Sequence, residues 1–485
     1  MNKFHFSLFL MTLLSAILTG CAQPYPNVEE GFEENWQSES YPAQVYLLPS
    51  AGAAYAQRVA LIRTAKSSLE MTYFSWDKDT LGLMLLDEVK QAADRGVKVR
   101  LILDDLLVFN EKWLAELNQH PNIRIKIFNP FSARKSGWLG RAVNFSRDQK
   151  KLDNRLHEKY FNVDHEYMIL GGRNIGDSYF GYSSQANFFD MDALFKGAVI
   201  EAFAKHYQTI WKSAYSEGIE HHIKTKANNA YAQFNKALRK TYKENAIVLA
   251  DVNQQIQTLA TPYFKEVKVT PIFDSLQKLE NNNPYFRIRA ERTIQNHIDN
   301  AKQVLISTPY IVPTQGEFSV IDQLLNNRAK VTLLTNSSAS NDSGFIPAYY
   351  DKHRSTLLDK GVNIYEYKDD AINDDHLYHV ATYYHNKTII LDNEITFIGS
   401  SNFDPRSDFL NMEIGVFIEG EGFASQVSDY LLKNKERLYW QVSRDSENNI
   451  IWRSGKLLHH DNPNYSKWHE VTNWLFRKMD AEMEL

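Results

Sequence analysis

Cysteine is nearly absent from this sequence of 485 residues, in which Cys21 is the single example. That scarcity excludes an intramolecular disulfide framework and a thiolate-rich metal site. Long apolar runs are also scarce: the run over residues 6–18 is short for a membrane span, and no other segment approaches the ~18 apolar residues that a span needs. A basic surplus is missing as well, since the formal net charge is -5, so no nucleic-acid partner is expected.

The one cysteine lies at the end of the N-terminal apolar run. Lys3 precedes that run, and the run ends in Leu18-Thr19-Gly20-Cys21. This pattern resembles a bacterial lipoprotein signal, in which small residues admit the peptidase and the cysteine thiol is acylated. We therefore expect residues 1–20 to be a signal peptide, Cys21 to be the lipid attachment site and residues 21–45 to form an N-terminal tether. The alternative is an ordinary signal peptide with a chance cysteine.

A chain anchored in this way is expected in the bacterial cell envelope, on the periplasmic side. Ala22 follows the cysteine, which resembles the sorting signal for the outer membrane in Gram-negative bacteria. The membrane would present lipid to the protein at high effective concentration. Residues 134–155 are basic with interleaved aromatic residues, which is compatible either with contact to anionic headgroups or with a solvated loop.

The sequence contains an internal repeat. Residues 157–174 read HEKYFNVDHEYMILGGRN, and residues 385–402 read HNKTIILDNEITFIGSSN. Both contain a His-x-Lys-x4-Asp pattern followed by a glycine and an asparagine, and the five matched positions keep one common offset. The matched pairs are His157 and His385, Lys159 and Lys387, Asp164 and Asp392, Gly171 and Gly399, and Asn174 and Asn402.

The repeat extends upstream more weakly and predicts the fold class. Each half alternates strand, helix, strand and strand, which is typical of an α/β fold with partly parallel strands. Two halves with a common plan are expected to pack about a pseudo-twofold axis. After the tether, we predict a first half at residues 46–216, a helical bridging segment at 217–262, a second half at 263–436 and a tryptophan-rich C-terminal extension at 437–485.

The paired histidine and lysine indicate the chemistry. On a strand, His157 and Lys159 are two residues apart and face the same side, and His385 and Lys387 do likewise. Because lysine repels a cation, the pair is a poor metal site, and we expect no metal or cofactor. The pair is a good oxyanion site, since the ammonium group attracts a phosphoryl oxygen while the imidazole acts as nucleophile or acid. Two such pairs predict a two-step phosphodiester transfer through a phosphohistidine.

Two further pairs complete the repeat. Asp164 and Asp392 belong to the motif and are grouped with its catalytic residues. Their distance of seven positions from the histidines turns them to the other strand face, however, which favours a structural role. Asn174 and Asn402 are predicted to bind phosphate, because an amide donates a hydrogen bond without adding charge.

Two carboxylates downstream are candidates for orienting the histidines. The segments FFDMD (188–192) and FLNME (409–413) align Asp192 with Glu413. A carboxylate on one ring nitrogen fixes the tautomer of a histidine and raises its basicity. The alternative for each is an acidic side chain on the surface of a strand.

With these residues the chain resembles the phospholipase D superfamily, whose hallmark is the doubled His-x-Lys-x4-Asp motif. The resemblance covers nearly all of the mature chain and points to the cardiolipin synthase C-like branch through YFSWDKDTLG (73–82) and GSSNFDPRSDFLNMEIG (399–415). It implies an α/β/α sandwich in each half and an active site at their interface. It also implies that His157 is the nucleophile and His385 the general acid, with the reverse order left open. Glu158 departs from the family pattern, but it is expected to face away from the site.

The expected activity is that of a phosphatidyltransferase that makes cardiolipin from two phospholipids. The alternatives within the superfamily are a phospholipase D-type hydrolase that releases phosphatidic acid and a metal-independent nuclease. A non-catalytic lipid-binding lipoprotein is a third alternative, against which both intact motifs argue. The sequence names neither the donor nor the acceptor, and an activating partner protein would leave no recognisable mark in it.

Overall fold

The computed structural model describes residues 26–108, 111–131, 153–226, 231–466 and 473–474. The predicted signal peptide, Cys21 and most of the basic stretch at 134–155 lie outside these residues. The strands are β1 Tyr41–Leu48, β2 Ser68–Tyr73, β3 Lys98–Asp104, β4 Ile123–Phe128, β5 Tyr160–Val163, β6 Tyr167–Gly171, β7 Ala186–Phe189, β8 Asp192–Gly197, β9 Ser216–Gly218, β10 Lys265–Phe273, β11 Gln303–Ser307, β12 Lys330–Asn336, β13 Asn363–Tyr367, β14 Ala381–Tyr384, β15 Thr388–Leu391, β16 Ile395–Gly399, β17 Ile414–Glu419, β18 Tyr439–Arg444, β19 Ile450–Ser454 and β20 Leu457–His459.

Helices connect most of these strands. They are α1 Ala51–Thr64, α2 Thr80–Asp94, α3 Lys112–Leu117, α4 Val199–Lys212, α5 Ile219–His222, α6 Ala232–Glu244, α7 Ala246–Gln257, α8 Lys278–Asn281, α9 Tyr285–Thr293, α10 Gln295–Asn300, α11 Gln315–Asn326, α12 Ile346–Asp359, α13 Pro405–Phe409, α14 Glu421–Leu432 and α15 Lys435–Leu438, with a short 3-10 helix at Asp177–Phe180. None of the described helices combines the length and the apolar character needed to cross a bilayer.

All the described strands except β7 and β14 join in one sheet. Their pairings give the order β9-β4-β3-β2-β5-β6-β8-β1-β10-β17-β16-β15-β11-β12-β13-β18-β19-β20. From the antiparallel β1–β10 pair outward, the two halves match strand for strand as far as β9 and β18. In each half three parallel strands, β2–β4 and β11–β13, are joined by helical crossovers. The predicted α/β fold of two related halves is confirmed.

Alternation of side chains along the strands divides the core. In β2, Leu69, Met71 and Tyr73 point into an outer apolar cluster beneath helices α1 and α2. In β1, Val45 and Leu47 point into a central cluster that also takes side chains from β15 to β17 of the second half. The contact between the halves is therefore an apolar core, and its burial fixes the position of the loops that carry the functional residues.

Several segments depart from simple repetition. Strand β1 begins at Tyr41, inside the residues predicted as a tether, because its backbone pairs with both β8 and β10. In the predicted bridging segment, α7 packs on α1 and α6 on α3, so this segment covers the first half. In the C-terminal extension, Trp440 and Trp452 are buried in the core of the second half, and Trp474 is exposed.

Candidate active site

The two motif histidines line one cavity of about 310 Å³ between the halves. His157 and His385 both lie just before the strands β5 and β15, at the carboxyl ends of the neighbouring parallel strands. The sequence predicted that these histidines would be strand residues, whereas each lies in the extended segment before its strand. The cavity is lined by Phe74, His157, Asn174 and Tyr179 from the first half and by Tyr310, Asp342, Ser343, Phe345, Ile346, His385, Asn402, Asp404, Arg406 and Asn411 from the second.

Backbone pairing between the halves positions each histidine. His157 N donates to Met412 O at 3.0 Å, and Met412 N donates to Arg155 O at 2.8 Å. In the same way β14 pairs in parallel with β7, and His385 N donates to Phe189 O at 2.9 Å. Each histidine segment is thus bound to a segment of the opposite half that leads directly into a carboxylate.

Through that pairing, each half supplies the carboxylate that contacts the histidine of the other half. We call this arrangement the exchange of carboxylates. His157 Nδ1 lies 3.0 and 3.1 Å from the two carboxylate oxygens of Glu413. His385 Nδ1 lies 2.7 Å from Asp190 Oδ2. A carboxylate accepts a hydrogen from Nδ1, so Nε2 of each ring is left to act on a substrate. Every one of these four side chains is buried, which shields the pairs from bulk solvent.

The prediction that Asp192 orients a histidine is wrong. Asp192 Oδ2 forms buried ion pairs with Arg58 at 2.9 Å and Arg173 at 3.3 Å. The residue that contacts His385 is Asp190, two positions earlier. An aspartate that neutralises two buried guanidinium groups stabilises the fold, since neither arginine could remain buried without it.

Strand register explains the error of two positions. In the first half, Gly171 pairs with Asp192, and in the second half its repeat partner Gly399 pairs with Gly415. Gly415 is therefore the counterpart of Asp192, and Glu413 is the counterpart of Asp190. The gapless alignment of FFDMD with FLNME missed this relationship, because the connection after the glycine is longer in the first half. An alignment that pairs the strands β8 and β17 by their hydrophobic pattern would have found Asp190.

Both motif lysines are buried beside their histidines. Lys159 Nζ donates to His157 O, and Lys387 Nζ donates to His385 O, each at 2.6 Å. Lys387 Nζ also lies 3.1 Å from His385 Nδ1. Burial lowers the pKa of Lys387 to about 8 and that of Lys159 well below its usual value. A bound phosphate anion would favour the protonated forms, so these lysines are poised to bind an anion.

Burial also controls the protonation of the histidines. It lowers the pKa of His157 to about 4, although Glu413 opposes the shift. It lowers the pKa of His385 to about 4 as well, with Lys387 adding to the shift and Asp190 opposing it. The neutral imidazole required for nucleophilic attack therefore dominates in the unliganded site at neutral pH.

The two carboxylates remain ionised for a related reason. Burial alone would raise the pKa of Glu413, but His157, Lys159 and the Ser400 hydroxyl outweigh it and hold the pKa at about 2. Ser400 Oγ donates to one oxygen of Glu413, and Ser407 Oγ donates to the other at 3.1 Å. The pKa of Asp190 is likewise lowered against the effect of burial, chiefly by His385. The sequence alone singled out neither serine. Both belong to the segment at residues 399–415 that carries the family resemblance.

The two predicted phosphate-binding asparagines both line the cavity. Asn174 is held by the 3.2 Å hydrogen bond that Ser75 N donates to its Oδ1, and its Nδ2 donates to Tyr179 OH at 3.0 Å. Asn402 Oδ1 is buried and has no hydrogen-bond partner among the described residues. Beside it, burial raises the pKa of Asp404 to about 7, which places a titratable group in the cavity wall that sequence analysis missed.

The motif aspartates lie outside the cavity. Asp164 and Asp392 occupy the tight turns after β5 and β15 with positive φ angles of 56° and 50°. Asp164 accepts hydrogen bonds from Lys66 N, Ser67 N and Ser68 N at 2.7–2.8 Å, which lowers its pKa against the effect of burial. Their grouping with the catalytic residues is therefore wrong, because they hold hairpin turns to the starts of neighbouring strands. The structural role favoured by their spacing is what the geometry shows.

Asp392 makes the equivalent contacts in the second half, accepting from Lys302 N at 2.9 Å and Gln303 N at 2.8 Å. Glu158, the departure from the family pattern, points away from the cavity and lies 2.6 Å from His206 Nε2. The described residues contain no group of three histidine, cysteine or carboxylate side chains arranged to hold a metal ion. The charged side chains that line the cavity are Arg406, Asp342 and Asp404, and the two motif lysines lie buried beside their histidines.

Comparison with known proteins extends over both halves. The family model described as "Cardiolipin synthase, PLD-like domain" matches residues 59–211 and 294–434. Cardiolipin synthase C of Escherichia coli strain K12 is 30% identical and covers 85% of this chain and 89% of its own length. An uncharacterized protein of Helicobacter pylori strain J99 is 28% identical over 89% of this chain and 87% of its own.

A solved structure gives the same fold. Phosphatidylserine synthase of Haemophilus influenzae Rd KW20 superimposes with a TM-score of 0.61 and covers 92% of this chain and 97% of its own. The two sequences are 17% identical, so this likeness concerns the arrangement of the chain.

Proposed function

Because the chain belongs to the cardiolipin synthase family of phospholipase D-like phosphatidyltransferases, we propose that it makes cardiolipin from two phospholipids through a phosphohistidine. The observation that carries the proposal is the reciprocal pair of histidines, His157 with Glu413 and His385 with Asp190, at one cavity. Two histidines with free Nε2 atoms are the minimum set for a double displacement at phosphorus.

In the first step Nε2 of His157 attacks the phosphorus of a phosphatidyl donor. A nitrogen–phosphorus bond forms and the bond from phosphorus to the headgroup oxygen breaks. His385, which takes up a proton on Nε2 when the anionic phosphodiester binds beside it, gives that proton to the departing alkoxide. In the second step His385 takes a proton from a hydroxyl of the acceptor phospholipid's glycerol headgroup. The resulting oxygen–phosphorus bond replaces the bond to His157, so both histidines return to their starting states.

The partners of the two histidines support this order. Glu413 contacts His157 Nδ1 through both oxygens and is itself held ionised, which makes Nε2 a better nucleophile. His385 has the ammonium group of Lys387 beside the same ring atom that Asp190 contacts. That positive charge weakens the hold of His385 on a proton, which suits a group that must release one to a leaving alkoxide.

The lysines and asparagines would meet the charge of the phosphate. Lys159 and Lys387 are buried beside the histidines that line the cavity, and Asn174 and Asn402 line the cavity with their amides. In a buried site such groups stabilise the developing negative charge without reorganisation.

The proposal includes the membrane location. The predicted acyl anchor at Cys21 would hold the cavity near phospholipid and away from the cytoplasm, on the periplasmic side of an envelope membrane, with an outer-membrane position suggested by Ala22. Treatment with a lipoprotein signal peptidase inhibitor should increase the mass of the cellular protein by that of the uncleaved signal peptide. An unchanged mass would remove the anchor from the proposal.

A lipid-product assay tests the activity. The intact protein, His157→Ala and His385→Ala are incubated with EDTA and mixed vesicles of phosphatidylglycerol and phosphatidylethanolamine, and the products are identified by mass spectrometry. We expect cardiolipin from the intact protein and from neither variant. Phosphatidic acid alone would change the activity to hydrolysis at the same site, and a histidine-dependent cleavage of DNA without lipid products would replace the lipid substrate.

A further inference from the structure

A second cavity lies inside the second half, between its sheet and the helices α9, α10 and α11. We call it the apolar cavity. It has a volume of about 110 Å³, and its walls are almost entirely hydrocarbon. They are formed by Phe286, Ala290, Ile294, Ile298, Val304, Ile306, Val320, Leu324, Ile389, Leu391, Phe397, Phe403 and Phe417, with Arg287, Glu291, Glu317, Ser401, Asn402 and Asp408 at the rim.

The apolar cavity adjoins the active site. Asn402 lines both cavities, and its neighbours Ser401 and Phe403 line the apolar one. The buried Oδ1 of Asn402 has no hydrogen-bond partner among the described residues. A group that extends from the active-site cavity into the apolar cavity would therefore pass Asn402.

In the described residues of the first half, the matching strand position carries charge. There, Asp192 on β8 binds Arg58 from α1, and the ion pair occupies the layer between sheet and helix. In the second half the counterpart of Asp192 is Gly415, and a side chain at that position would come within 2.4 Å of the Phe397 ring. Phe286 and Phe397 pack together here, with ring centroids 6.1 Å apart. The second half thus has hydrocarbon where the first half has charge.

The charged groups at the rim do not make the apolar cavity polar. Arg287 Nε and Nη1 each lie 2.8 Å from a carboxylate, Asp408 and Glu291 respectively, so these charged groups are paired with one another at the rim. Ala290, Val320, Ile389 and Phe403 are only half-buried, which shows that the space is accessible from outside. Apolar cavities of roughly 150 Å³ bind molecules of the size of benzene, so this space fits a short length of hydrocarbon chain.

We propose that the apolar cavity holds the first methylenes of one acyl chain of the phosphatidyl group while its phosphate is at the histidines. The proposal rests on the proposed function and adds a subsite to it. Its hydrocarbon walls beside Asn402 assign it to the phosphatidyl group, which keeps its acyl chains through both steps, rather than to the departing headgroup, which is polar.

Chain-length dependence tests the subsite. The substrates are phosphatidylglycerols with butanoyl, hexanoyl or octanoyl chains, used below their micelle concentrations. For the intact protein, kcat/KM should rise by up to about fourfold for each added methylene until the cavity is filled. Val320→Phe and Ala290→Leu fill the space and should flatten this rise while leaving turnover of the butanoyl substrate unchanged.

Ser319→Phe is the matched control, because Ser319 is the exposed neighbour of Val320 on the same helix. It should keep the chain-length dependence. A second readout is the fluorescence of cis-parinaric acid, which should increase on binding to the intact protein and the control but not to the filled variants. Unfolding midpoints identify any variant that fails to fold.

If the apolar cavity is only a packing defect that binds no acyl chain, a different result is expected. If both filling variants raise the unfolding midpoint while the chain-length dependence and parinaric acid binding stay as in the intact protein, the subsite is disproved. The same holds if the intact protein shows no chain-length dependence. If the intact protein makes no lipid product at any chain length, the proposed function fails, and fatty-acid binding alone then decides the role of the apolar cavity.

Discussion

In the first half, His157 is held by a glutamate that two serine hydroxyls also contact, whereas in the second half His385 is held by an aspartate with an ammonium group nearby. The backbone frame around the two imidazoles is the same, and burial lowers both pKa values to about 4. The difference lies in the groups on Nδ1. Duplicated machinery can therefore be given two chemical roles by changes in the contacts of one ring atom.

Among the variants that test this comparison, those with a single histidine replaced should show the largest fall in kcat. His157→Asn removes the attacking nitrogen and should lower kcat by about 10⁴-fold or more, without any covalent adduct. His385→Asn removes proton transfer and should lower kcat by roughly 10²–10⁴-fold. It should also leave a phosphatidyl adduct on His157, detectable by mass spectrometry of enzyme denatured without acid. An adduct in His157→Asn instead would exchange the two roles.

The second prediction distinguishes the structural role of Asp192 from the role of Asp190 in orienting His385. Asp192→Asn should reduce the free energy of unfolding by about 3–5 kcal/mol, because Arg58 and Arg173 lose the charge that neutralises them in the core. Urea denaturation measures this loss, and kcat of the folded protein should change little. A large fall in kcat with unchanged stability would make Asp192 an orienting residue after all.

Replacing the carboxylates that contact the histidines should lower kcat by a smaller factor than replacing the histidines. Glu413→Gln and Asp190→Asn should each lower kcat by roughly 10–100-fold with little change in KM, because the rings lose their orientation. The loss should be greater for Glu413→Gln, since Ser400 and Ser407 also lose an anionic acceptor. Steady-state kinetics with both variants measure the difference, and equal losses would show that the two supports are equivalent.

Replacing the aspartates in the turns after β5 and β15 should have the smallest effect, and that effect should be on stability. Asp164→Asn should cost about 1 kcal/mol of stability, because its hydrogen bonds to backbone N–H groups are partly exposed to water. Asp392→Asn should cost less, since it accepts from two backbone groups rather than three. Unfolding midpoints measure both, with kcat as the control. A loss of turnover without a loss of stability would return these residues to the active site.

Sequence reasoning was strongest where residue type and fixed spacing carry the information. The paired His-x-Lys motifs and the glycines after them identified the two halves and the groups that meet at the cavity. The odd step from His157 to Asp164 also indicated that the aspartate faces away from the histidine and has a structural role, because side-chain direction along a strand alternates from residue to residue.

Other features of the site depend on tertiary contacts. Asp190 was missed because connections of unequal length shift the alignment by two residues, and the pairing of Gly171 and Gly399 with their neighbours reveals the shift. The exchange of carboxylates between the halves arises from short parallel pairings, such as Leu156 with Met412, that have no sequence signature. Ser400 and Ser407 act through a glutamate, and nothing in their spacing indicates this.

The exchange of carboxylates also has an evolutionary consequence. In each half the histidine and the carboxylate pair with the opposite half and not with each other, so an ancestor of that length would have needed a second copy of itself to build either pair. Duplication and fusion of its gene would join both copies in one chain and remove the dependence on dimer concentration. After fusion the two positions could mutate separately, which a symmetric homodimer forbids, and an aspartate could come to stand on one side and a glutamate on the other.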